Sequence, residues 1–135
     1  MKKWALILPL LAVSISSCIA GDFTKHCQQE FPNDSTGELV SNCMNKIQKK
    51  YERQIDDLSR EIQVLSKDMG SVLVITNDEH HTTNDAFINY MRNQCSMVGG
   101  AGMSRSIISE HLDCELNLMR DRINTLIYLR DYHYK

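Results

Sequence analysis

After residue 15 the chain has no long apolar run. That absence excludes a membrane-spanning helix from the part that folds, because a bilayer core needs about 20 consecutive apolar residues. No block of lysine and arginine occurs either, so a nucleic-acid surface is not expected. Three catalytic signatures are missing: the G-x-S-x-G elbow, the H-E-x-x-H pair and the phosphate-binding loop. Carboxylates such as Asp56, Asp57 and Glu61 fall on the polar side of a helical pattern, where charges are usually solvated. There is no C-x-x-C spacing, no internal repeat and no low-complexity tract. The expectation is a protein that is not an enzyme and that takes no cofactor and no metal.

What is present begins with a leader. Met1-Lys2-Lys3 precedes an apolar run from Trp4 to Ile15, and two serines and a cysteine follow. Positive charge, a short apolar stretch and small residues are the pattern of a signal peptide over 1–17. Two cleavage points fit. Ile15-Ser16-Ser17-Cys18 has the form of a lipoprotein box, with cleavage at 17/18 and Cys18 as the lipid attachment. Cys18-Ile19-Ala20 before Gly21 suits ordinary signal peptidase, with cleavage at 20/21. The expected location is the periplasm or outer membrane of a bacterium, or secretion if no lipid is added. The leader carries Lys2 and Lys3 and no acid, so removing it leaves 13 basic against 17 acidic residues, a net charge of about −4. A mildly acidic body favours encounter with a cationic partner.

The remaining cysteines are Cys27, Cys43, Cys95 and Cys114. An even number in a small exported domain reads as a disulfide framework. Of the three pairings open to four cysteines, the spacings suggest Cys27–Cys43 and Cys95–Cys114. A zinc site is the rival reading, since His26 adjoins Cys27 and His111 precedes Cys114 by three residues. The pair His80-His81, beside Asp78 and Glu79, reads as a solvated polar loop.

Periodicity supplies the architecture. Residues 18–36 read as an irregular lead-in, with Pro32 and the turn-rich Asn33-Asp34-Ser35. The helical domain is 37–135, tied to the lead-in through Cys27. Ser35 or Thr36 caps a long amphipathic first helix, with Glu38 in its first turn. Its apolar positions are Val40, Met44, Ile47, Tyr51, Ile55, Leu58, Ile62 and Leu65, each three or four residues from the last. Residues 71–76 have strand composition but no partner strand, and 77–83 read as exposed. A second helix runs from 83 or 84 to Cys95, then a glycine-rich turn spans Gly99 to Gly102. The third helix starts at 104 or 106, runs to about Tyr128 or later and carries Leu112, Leu116, Met119, Ile123 and Leu126, with the tail 130–135 expected to fray. The fold class is a small all-α, three-helix domain stapled by two disulfides. Arg92 and Arg122 read as ion partners between paired helices.

The segment "AFINYMRNQC", a glycine turn and then "CELNLMRDRINTL" together resemble the bacterial LprI-like lysozyme-inhibitor domain family. The matching positions are Phe87, Tyr90, Cys95, Cys114, Arg122 and Leu126, which the resemblance implies are structural. Phe87 stands where tryptophan is usual, and Met91 and Met119 replace an arginine and a threonine. What the resemblance implies is an exported cell-envelope protein that binds and inhibits a lysozyme or similar peptidoglycan hydrolase. Two alternatives accompany it: an immunity protein against a delivered cell-wall toxin, and a structural envelope lipoprotein. For contacting the partner, the expected residues are Asp78 and Glu79 in one exposed loop and Gly99 and Gly100 in the other.

Overall fold

A computed structural model describes residues 21–68, 77–99 and 105–134. The described residues are helical and contain no strand. Among the described residues there are four helices rather than three: α1 (Asp22–Glu30), α2 (Glu38–Asp68), α3 (Asn77–Gly99) and α4 (Arg105–Tyr132). The additional helix lies within the segment expected to be irregular. α1 has only nine residues, below the roughly 12 at which an isolated helix becomes marginal in water, so its stability has to come from packing. Phe23, Thr24 and Cys27 form its buried face. The long amphipathic helix, expected to be first, is therefore second in chain order. Residues 71–76, with their strand-like composition, lie outside the described residues.

The start of α2 shows why the chain turns there. Gly37 has a φ of 77°, in the left-handed region that glycine enters without steric cost. The Thr36 hydroxyl accepts from the Glu38 amide at 3.3 Å, but Gly37 holds the cap position expected for Ser35 or Thr36. Asp34 does more. Its Oδ1 accepts from the amides of Thr36 and Gly37, and its Oδ2 from the amide of Val40 at 3.0 Å. These amides, Val40 first, hold the Asp34 carboxyl below the usual aspartate range. A carboxyl lowered on folding stabilises above its unfolded pKa of about 4 and loses that contribution as pH falls through the folded value. Asp34→Asn should therefore lower the melting temperature at pH 7, and the gap to the parent should narrow as pH falls below the unfolded aspartate pKa of about 4. Thermal melts of both proteins across that range check this; a gap independent of pH would contradict it.

α4 is the spine of the molecule. It packs along both α2 and α3, while α1 lies against α2 and α4. Two apolar clusters result. One joins Phe23, Cys27, Val40, Cys43, Met44 and Leu116. The other joins Ile55, Leu58, Ile62, Met91, Cys95, Met119, Ile123 and Leu126. Successive turns of α4 thus supply both, Leu116 to the first and Met119 to the second. The disulfides are Cys27–Cys43 and Cys95–Cys114, with Cα separations of 5.8 and 5.6 Å, the pairing the spacings suggest. Disulfides of this kind persist in oxidising, extracytoplasmic surroundings. Among the described residues no helix is long and apolar enough to cross a membrane.

Three boundaries differ from those expected, the first being the end of α3, which runs past Cys95 to Gly99. α3 begins at Asn77, so the polar stretch read as a loop is its opening turns. The tail stays helical to Tyr132, where Arg130 bonds Asp131 at 2.8 Å and reaches Glu61 of α2 at 3.3 Å.

Candidate functional site

α2 and α3 both lean on α4 but touch each other sparsely, and a groove of about 360 Å³ lies between them. Glu52 and Asp56 of α2 form one wall, and His81, Phe87, Ile88, Met91 and Arg92 of α3 the other. Glu115 and Met119 of α4 lie at its base. Glu115 is buried and firmly placed. Its carboxylate accepts from the Gln48 amide at 3.0 Å and lies 3.1 Å from His111 Nε2. His111 Nδ1 is in turn 3.0 Å from the Cys95 carbonyl oxygen. Both contacts of that ring are to acceptor oxygens, so whichever ring nitrogen carries a proton has a partner to donate to. This network ties α2, α4 and the second disulfide together. It also gives His111 a role unlike the zinc ligation weighed for it, and Cys27 and Cys114 are taken up in disulfides.

A smaller cavity of about 150 Å³ lies between α2, α3 and α4. Arg122 lines it, with its guanidinium carbon 5.7 Å from the Phe87 ring centroid. Expected to bridge helices through an ion pair, Arg122 has no carboxylate partner among the described residues. Burial lowers its pKa from the usual arginine value. Its Nε–H, the Ser59 hydroxyl and the Asn84 side-chain oxygen are buried without a hydrogen-bond partner.

The positions expected to be structural thus divide. Phe87 and Arg122 stack, Leu126 joins the core beside them, and Tyr90 is exposed. Glu79 is exposed in the first turn of α3, and Asp78 lies in the same turn, with its side chain outside the described residues. Acids there complement the unpaired amides of the helix start, so a protruding loop is not the setting in which either residue sits. Gly99 is the last residue of α3, whereas Gly100 and Cys18 lie outside the described residues. Arg92 is exposed on the groove wall and forms no ion pair between helices among the described residues.

Sequence reasoning missed three buried ionisable residues: His80, Asp113 and Glu115. His80 was expected in solvent, yet it is buried with its Nε2 3.9 Å from Asp56. The signal that finds it is the stripe His80, Asn84, Phe87, Met91, Cys95, whose steps of three and four continue the helix upstream of Asn84. Asp113 and Glu115 flank Cys114, and no periodicity marks them as buried. Compared with protein-family models, curated proteins and solved structures, the chain matches none of them.

Proposed function

We propose that this is an exported binding protein that docks on a lysozyme or similar peptidoglycan hydrolase and blocks it. The observation that carries the reading is the groove, where Glu52 and Asp56 face the apolar Phe87, Ile88 and Met91 on a body of net negative charge. Lysozymes cleave with two carboxylates in a sugar-binding cleft, and many are strongly basic. A basic side chain at the rim of such a cleft would enter the groove, meet the two carboxylates and bury its stem on the apolar wall. The resemblance around Cys95 and Cys114 supports the same target class. Two disulfides that hold the helices in place reduce the ordering cost of docking. Catalysis plays no part in this reading, and no cofactor is needed.

The test is a cell-wall turbidity assay with the oxidised protein and a basic lysozyme. Glu52→Lys combined with Asp56→Lys should weaken inhibition at least tenfold, mainly through a slower association rate. The variant loses the exposed Asp56–Arg60 pair, which contributes little to stability. It also loses the 3.9 Å contact of Asp56 with buried His80, so its melting temperature is measured beside inhibition and must stay near the parent's. Unchanged inhibition by the double variant would rule out the groove as the docking face. No inhibition of any basic lysozyme, with tight binding to a delivered cell-wall toxin, would instead establish the immunity role.

A further inference from the structure

We propose that the cavity around Arg122 binds a small carboxylate carrying a short apolar tail. Three polar groups that lack partners border this one space: Arg122 Nε–H, the Ser59 hydroxyl and the Asn84 side-chain oxygen. Ser59 is only 6% exposed, so its hydroxyl has no bulk water to turn to. A buried polar group left unpaired costs roughly 1–3 kcal/mol, and native proteins seldom leave three around one cavity. The Arg122 guanidinium is half-buried, with its Nε fully enclosed, and has no carboxylate of its own among the described residues.

The geometry selects the chemistry. Arg122 and Ser59 both donate, and a carboxylate accepts from both with the charge-assisted strength that water lacks. The Asn84 amide, after a half-turn, offers its NH₂ as a third donor. Ile62, Leu126 and Leu129 line the same cavity, so the remainder of the ligand should be apolar. About 150 Å³ matches a molecule of roughly five to seven heavy atoms, by comparison with benzene-sized cavities. Arg122 and Asn84 are half-buried, and access from solvent lies past them. A cation is not suited, since the charged group at the site is itself positive.

Butyrate is the probe, with butyramide as its neutral counterpart and sodium chloride at equal ionic strength. Titrated into the oxidised protein, butyrate should shift the Arg122 Nε–Hε resonance saturably and raise the melting temperature, while butyramide and chloride should do neither. Ser59→Ala should weaken butyrate binding several-fold, and Arg122→Met at least tenfold. If Arg122→Met does not fold, the resonance and Ser59→Ala still decide the matter. No saturable shift with butyrate, or an equal shift with butyramide or chloride, would mean that water fills the cavity and overturn the proposal. Lysozyme inhibition is not used in this test, so the two readings can fail separately.

Discussion

Asp113→Ala is expected to destabilise the protein by about 2–4 kcal/mol, because one carboxylate closes the contact of α1 with α4. Asp113 is buried on α4, some 90 residues along the chain from α1. Its Oδ1 accepts from the amides of Phe23 and Thr24 at 3.1 and 3.2 Å, and its Oδ2 accepts from the Thr24 hydroxyl. The residue before α1 is Gly21, which has no side chain to cap the helix, so Asp113 caps it from another helix. Losing an ordinary cap costs about 1 kcal/mol. Here truncation also strands buried donors, which raises the figure. Asp113→Asn keeps one carbonyl oxygen for the amides and should cost about half as much. Gly21 belongs to the same device, since a Cβ there would overlap the Asp113 carboxyl group. Gly21→Ala should therefore destabilise the parent more than it destabilises Asp113→Ala, a non-additivity expected of residues in contact. Urea denaturation of these variants, singly and combined, measures all of these effects. A cost below about 0.5 kcal/mol for Asp113→Ala would show that α1 is held by its apolar face alone.

The same contact explains which parts of the fold were legible in the sequence. α2 was readable because Val40, Met44, Ile55, Leu58 and Ile62 repeat at helical spacing and are all buried. α4 was readable for the same reason, from Leu116, Met119, Ile123 and Leu126. α1 was not, because nine residues with Phe23, Thr24 and Cys27 as their inner face give too short a repeat, and the cap arrives from position 113. Local signals cannot report a partner at that distance. The opening of α3 was masked by its polarity: Asn77, Asp78 and Glu79 suit a loop and a helix start equally well. Charge patterning failed at Asp113 and Glu115 because it assumes that a carboxylate in a helix faces water. Each of these two instead has donors supplied by another helix, Phe23 and Thr24 for one and Gln48 for the other. The groove and the Arg122 cavity depend on how α2 and α3 diverge over α4, which is a tertiary property with no sequence repeat to announce it.

Removing either disulfide should cost about 3 kcal/mol by loop-closure entropy, but the two losses should differ in what comes loose. The bridged residues are 16 and 19 apart in sequence. Closure entropy varies only logarithmically with loop length, so that difference is too small to distinguish them. Position distinguishes them. Cys27–Cys43 joins α1 to α2 inside the first cluster. In the Cys27→Ala, Cys43→Ala protein, the α1 amides should lose hydrogen-exchange protection first, while the core of α2 and α4 keeps it. Cys95–Cys114 joins α3 to α4, and Cys95 sits in the second cluster while its carbonyl faces His111. Because α3 has little contact with α2, its position over the groove depends on α4 and on this bridge. The Cys95→Ala, Cys114→Ala protein should therefore show fast exchange along α3 and, on the function proposed above, a loss of hydrolase inhibition well beyond its loss of stability. The first variant, with the groove intact, should still inhibit at temperatures where it remains folded. Exchange by mass spectrometry, run beside the turbidity assay, separates the two cases. Equal loss of inhibition in both variants would mean that the docking face includes α1, and that the groove between α2 and α3 is not sufficient.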